Sequence, residues 1–162
     1  MNSKLAGILS FVTLLSACAT TYQRTGFSGG FSETQLAPDV FRVSFSGNGF
    51  TTPERVQDFA MLRAAELCSG VGHPYFAVVD SVDQSVTQNV TMPGMAQTTG
   101  QVNVVGNTAV YSGTTTYSPV QTYSFYKPGV GMMVRCLREQ IEGSMTFDAQ
   151  FLSTTIRAKY GL

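Results

Sequence analysis

The chain opens on an apolar run and then changes period several times. Leu5 to Leu15 is apolar apart from Gly7, Ser10 and Thr13. That is about the length of a secretory h-region and short of the roughly 20 residues a membrane-spanning helix needs. Residues 40–46, Val-Phe-Arg-Val-Ser-Phe-Ser, alternate apolar and polar positions and predict a strand that stops at Gly47-Asn48-Gly49. Thr52 then stands as an N-cap with Pro53 at the first helical position. Val56, Phe59, Ala60, Ala64, Leu67 and Cys68 recur at helical spacing, so 53–69 is expected as a helix that ends at Gly70 or Gly72. A nearly continuous apolar run at 74–82 predicts the next strand, one that lies beside another strand and under a helix. Residues 130–137 predict a further strand with Met132, Val134 and Cys136 on one face, and 145–149 a short strand before a closing helix from about 150.

These elements give an α+β fold: a small two-layer domain with a strand–helix–strand unit over 40–82, further strands and a C-terminal helix. The helix between the first two strands is long enough for a crossover connection. Two segments stand apart. Residues 19–35 are rich in Gly, Ser and Thr around Gly29-Gly30 and read as a flexible tether, with an ordered arm that packs Tyr22, Phe27 and Phe31 as the other reading. From Gln84 to Tyr126 there is no charged residue, and Gln101 to Tyr111 holds two short β-like runs about Gly106-Asn107. That stretch suits a hairpin or a partly disordered low-complexity insertion, and it could add a strand to a partner. The expected organisation is therefore a signal segment at 1–17, a tether at 18–36, and one α/β domain at 37–162 with an insertion at about 84–122.

The order of features at the start changes this picture. Lys4 precedes the apolar run, and Leu15-Ser16-Ala17-Cys18 closes it. The pattern resembles the lipobox of bacterial lipoproteins. The resemblance implies a diacylglycerol thioether on Cys18 and cleavage between Ala17 and Cys18. One acyl chain binds a bilayer marginally, whereas two or three hold durably. Ala19, rather than Asp, follows the cysteine. By resemblance to the sorting rule of Gram-negative lipoproteins this implies the outer membrane, with the domain facing the periplasm.

Charge and cysteine usage narrow the functional classes. Ten basic residues balance ten acidic ones, which offers no electrostatic footprint for nucleic acid. With Cys18 assigned to lipid, Cys68 and Cys136 remain. In an oxidising compartment they suit a disulfide, while two buried free thiols are the alternative. If the strand at 130–137 turns Cys136 toward the helix, the bridge becomes geometrically reasonable.

Nothing in the sequence marks a catalytic centre, so no enzyme, metal or cofactor is expected. His73 is the single histidine and sits between Gly72 and Pro74 at a turn. Cys68 and Cys136 lack metal-ligand spacing, and no nucleophile elbow or phosphate loop occurs. Glu54, Arg55, Asp58, Arg63 and Glu66 read as a solvated helix face with Arg63–Glu66 as a surface pair. Asp80 and Asp83 are two carboxylates at a strand end and weak evidence for a site.

The stretches from Gly29-Gly30-Phe31 through Leu36-Ala37-Pro38-Asp39-Val40-Phe41-Arg42-Val43, Phe45-Ser46-Gly47-Asn48-Gly49-Phe50-Thr51, and Asp58-Phe59-Ala60-Met61-Leu62-Arg63-Ala64-Ala65-Glu66-Leu67 resemble a family of uncharacterised bacterial envelope lipoproteins. The resemblance implies a compact α/β lipoprotein domain and brings no activity with it. A looser architectural similarity is to outer-membrane stress-sensing lipoproteins. The expected role is a non-catalytic envelope binding or structural component, with an envelope-stress sensor or assembly accessory as the alternative. The expected partners are the lipid bilayer, through acylated Cys18, and another envelope protein.

Overall fold

The computed structural model describes residues 18–162. The expected signal segment, with Ala17 at its cleavage point, lies outside the described residues. Among the described residues the elements follow in the order β1 (Gly30–Ala37), β2 (Val40–Ser46), α1 (Pro53–Gly70), β3 (Tyr75–Asp83), β4 (Val86–Met92), β5 (Ala96–Val105), β6 (Thr108–Tyr117), β7 (Gln121–Lys127), β8 (Gly129–Leu137), β9 (Phe147–Asp148) and α2 (Ala149–Tyr160). The fold is mixed, as expected, with strand outweighing helix.

The chain divides into two compact units. The larger, residues 18–86 with 126–162, contains a five-stranded sheet in the order β1-β2-β8-β3-β9. Every neighbouring pair is antiparallel. Strands β2 and β3 therefore run parallel to each other with β8 inserted between them. The crossover helix spans one strand of separation, which a local reading of 40–82 does not reveal.

Alternation in β2 sends Phe41, Val43 and Phe45 inward, and in β8 it sends Val130, Met132, Val134 and Cys136 to the same side. Helix α1 lies on that face. Its buried set of Val56, Phe59, Ala60, Leu62, Ala64, Ala65 and Cys68 is broader than one stripe, because the helix is covered from two directions. Phe59 makes this concrete. Its ring meets Phe45 of the sheet at 5.2 Å, Tyr22 of the N-terminal arm at 5.4 Å and Tyr160 of α2 at 4.9 Å. Aromatic pairs at such spacing add to the area they bury.

The helix ends follow their local chemistry. The Thr52 hydroxyl accepts from Arg55 N at 3.3 Å with Pro53 in the first turn, and Gly72 (φ 80°) takes the left-handed turn just beyond α1. In α2, Asp148 accepts from Phe151 N at 2.8 Å and Gly161 closes the helix at φ 68°. The expected strand at 145–149 shortens to Phe147–Asp148 because Asp148 is taken up as that cap.

Residues 18–36, expected as a flexible tether, run into edge strand β1; Tyr22 and Phe31 pack on the core as in the arm reading, whereas Phe27, expected to pack with them, is fully exposed. The glycines there serve close approach rather than mobility. A Cβ on Gly29 (φ 98°) would strike the Ser46 carbonyl oxygen, and one on Gly30 (φ 132°) would lie 2.5 Å from Gln23 O. Phe31 N donates to Gln23 O at 2.8 Å and Thr25 N to Phe31 O at 2.8 Å, which folds the arm back on itself.

The smaller unit comprises residues 87–125. It contains the β5–β6 hairpin, with Val105 paired to Thr108 about Gly106-Asn107, and the paired strands β4 and β7. Strands therefore occupy the stretch for which the sequence left a hairpin and partial disorder both open.

Candidate functional site

The expected acylation point, Cys18, is exposed and its thiol is free. The chain is fixed to the domain immediately after it. Asn48 Nδ2 donates to Cys18 O at 2.8 Å. Two residues on, Thr20 is 1% exposed. Its amide donates to Thr51 Oγ1 at 2.9 Å, and its hydroxyl donates to Ser28 O at 2.6 Å while accepting from Asn48 N at 2.9 Å. The Thr51 hydroxyl, 3.0 Å from Thr20 Oγ1 and 2.9 Å from Asn48 Oδ1, completes a closed polar cluster. The turn Ser46-Gly47-Asn48-Gly49, read from sequence only as a strand-to-helix connection, is the receptor for the start of the arm.

Two aromatic residues flank this end. Phe50, whose amide donates to Asn48 Oδ1 at 3.0 Å, is 72% exposed. Phe27 is fully exposed at the tip of the Gly26–Gly29 turn, beside the Ser28 carbonyl that Thr20 holds. Residues 18–32 and 46–53 contain no acidic side chain, and Arg24 is the only charge among them.

Further along the arm the polar face of α1 is half-buried rather than solvated, a correction to the sequence reading. Glu33 Oε1 accepts from Arg24 at 3.0 Å and Arg63 at 3.1 Å. Glu66 accepts from Arg63 at 2.8 Å, Arg157 at 2.5 Å and the Tyr22 hydroxyl at 2.5 Å. Burial first, and then the bond to the Glu66 carboxylate, push the Tyr22 hydroxyl well above the usual tyrosine range. Burial alone would weaken the Arg63 guanidinium's hold on its proton; its bonds to Glu66 and Glu33 outweigh this and raise it. Lys159 bridges Asp58 at 2.8 Å and Glu54 at 2.5 Å, and those hydrogen bonds raise its ammonium. Tyr160, raised by burial and then by its bond to Asp58, completes the seam between α1 and α2. Arg55 lies 5.0 Å from the ring centres of both Phe59 and Tyr160. Only the Arg63–Glu66 spacing marked this network in the sequence; the other carboxylate, tyrosine and basic partners of the α1 side chains lie 30 or more residues from them.

Cys68 and Cys136 are bonded, with Cα atoms 5.2 Å apart and a sequence separation of 68. Both are buried, at 0% and 2% exposure, so neither sulfur is presented to a reductant at the surface. The bridge ties α1 to the central strand β8.

The remaining sequence candidates are dispersed. His73 precedes β3; its Nδ1 lies 3.2 Å from Val71 O, in an open depression of about 260 Å³ with Ser69, Pro74 and Gln150. Asp80 lies past a bulge at Val79, in a row with Met133 and Arg42 on the sheet face opposite α1. A shallow cavity of about 110 Å³ is found there over Gly131, with Gln84 beside it. Asp83 accepts from Ser85 N at 2.8 Å, and hydrogen bonds from Ser85 hold its carboxyl below the usual range. Asp80 and Asp83 do not form a paired acid site, and His73 stands at the opposite end of β3 from both. Among the described residues, no three His, Cys, Asp or Glu side chains are grouped to hold a metal.

No family model matches the chain, and no curated protein is significantly similar to it.

Proposed function

We propose that this chain is a bacterial lipoprotein acylated on Cys18, held at the outer membrane facing the periplasm, and that its domain is a non-catalytic binding or structural component of the envelope. The observation that carries the reading is the placement of Cys18: an exposed thiol directly after a lipobox, whose own carbonyl is bonded to the domain and whose second neighbour is locked in a buried polar cluster. One residue, Ala19, separates the anchor from that lock. A lipid on Cys18 therefore brings the domain against the bilayer instead of suspending it on a tether. Phe27 and Phe50 are then placed to enter the interfacial layer, where aromatic rings are favoured.

Metabolic labelling with an alkynyl fatty acid tests the reading. Label is expected on the wild-type chain and lost in Cys18→Ala, with the variant moving from the membrane fraction to the soluble fraction. Equal labelling of both chains, or none in either, would contradict it.

A further inference from the structure

Within the smaller unit, nothing covers the faces of the β5–β6 hairpin. Every residue of β5 and β6 is exposed, and the run from Gln84 to Tyr126 is uncharged while Asp83 and Lys127 bound it. The register sorts the hairpin into two faces. Ala96 pairs with Tyr117, Val102 with Tyr111 and Val104 with Ala109, so these six share one side. The other side is polar at Gln97, Thr99, Gln101, Asn103, Ser112 and Thr114, and carries Val105 and Val110 near the turn. On the apolar side Tyr111 lies over Gly100 and Gly113, where any Cβ would collide with its ring. Thr98 and Thr115 satisfy each other at 2.9 Å.

We propose that this hairpin inserts into a lipid bilayer as one member of a β-barrel built from several copies of the chain. Each strand has ten residues, within the range of about 9–11 that a tilted membrane strand requires. At about 3.4 Å per residue and a 45° tilt, that spans roughly 24 Å, the height of the apolar band of such barrels. One face richer in apolar residues than the other, with no charge to carry across, suits a barrel wall; the alternation lapses near the turn, at Val104-Val105 and Ala109-Val110-Tyr111. The leading turn, Gly106-Asn107, is small and uncharged. Pro93 and Pro119 flank the other end of the hairpin, just beyond the Ser118 N bond to Met95 O at 2.8 Å, and neither can donate to a continuing ladder.

Several copies are required because a single hairpin leaves the outer edges of β5 and β6 unpaired. Hydrocarbon offers those amides and carbonyls no partner, so only a closed ring is stable there. In such a ring the face bearing Gln101 and Asn103 lines water. This goes beyond the anchoring reading and does not rest on it, since the hairpin pattern is independent of Cys18.

The test uses the full purified chain added to phosphatidylethanolamine–phosphatidylglycerol vesicles that enclose a self-quenched dye. Release is expected to rise more steeply than linearly with protein concentration, with unheated gels showing oligomers. Val102→Asp, on the apolar side, should lower release about ten-fold or more, whereas the adjacent Asn103→Asp on the water side should leave it within about two-fold. Cys18→Ala should need more protein yet still release dye, which separates failure of this proposal from failure of the anchoring reading. An environment-sensitive fluorophore on single cysteines at 102 and 103, introduced into Cys18→Ala, should shift to the blue with vesicles at 102 alone. No release, equal effects of the two substitutions, or water-like emission at both positions would overturn the proposal. Strand addition to a protein partner would then be the use left for the hairpin.

Discussion

Breaking the Cys68–Cys136 bridge should remove a large share of the domain's stability. The bridge closes a loop of 68 residues. In the chain-entropy description, opening such a loop stabilises the unfolded ensemble by about 4.4 kcal/mol at 25 °C. Domains of this size are stable by roughly 5–15 kcal/mol in total, so the loss would move the thermal midpoint by roughly 10–15 °C. Because both sulfurs are buried, replacing them also opens a small void, and the cleanest comparison keeps every heavy atom. Wild-type protein unfolded, reduced and refolded in a reductant should be compared with oxidised protein by urea denaturation. The Cys68→Ala/Cys136→Ala chain adds the void as a separate increment. The oxidised protein should resist alkylation at both positions even when unfolded, and become alkylated only once a reductant is added to the unfolded chain. A loss below about 1 kcal/mol on reduction would refute the reasoning, since the entropic magnitude follows from loop length alone.

Other expectations follow from the arm and its contacts. Gly29→Ala forces a Cβ against the Ser46 carbonyl at φ 98°, so it should cost about 1–3 kcal/mol and raise protease cleavage within 18–30. Thr20→Val leaves Ser28 O and Asn48 N without their partner and should cost about 2–4 kcal/mol, while Thr20→Ser should retain most of the wild-type value in the same urea titration. Tyr22 and Tyr160 both titrate higher in the fold than in the unfolded chain. A raised folded value means that their contribution is complete below pH about 10 and is lost as pH rises beyond it, at up to about 1.36 kcal/mol per pH unit for each proton. Tyr22→Phe should be less stable at pH 7 but lose stability less steeply above pH 10; parallel curves would remove this account. In the Cys18→Ala background, Phe27→Ser/Phe50→Ser should weaken binding to anionic vesicles by roughly ten-fold or more, and sedimentation that shows no change would separate these rings from the bilayer.

The parts of the fold written in local periodicity were legible. Alternation over 40–46 and the 3.6-residue recurrence from Val56 to Cys68 mark β2 and α1, and Thr52-Pro53 marks where the helix starts. Cys136 on the inward face of β8 follows from the same alternation. What stayed hidden depends on separation along the chain. Nothing near 40–82 indicates that β8 will slot between β2 and β3, because that choice is made by a strand 50 residues downstream. The arm stayed open between two readings because Gly-rich composition has two physical causes, freedom and crowding, and only the fold shows that Gly29 and Gly30 serve crowding. Thr20, Asn48 and Thr51 carry no signal of their own; each is an ordinary turn residue until the arm returns to meet it. The two-faced register of β5 and β6 was present in the sequence, but a run free of charge and rich in Thr reads as disorder until the pairing about Gly106-Asn107 is known.

The central proposal is that the mature chain begins at an acylated Cys18. Mass spectrometry of the N-terminal peptide, taken from protein extracted from membranes by detergent, tests it most directly. The account predicts that the peptide begins at Cys18 and carries a diacylglyceryl thioether on its sulfur. A peptide that begins elsewhere, or Cys18 with an unmodified thiol, would contradict it.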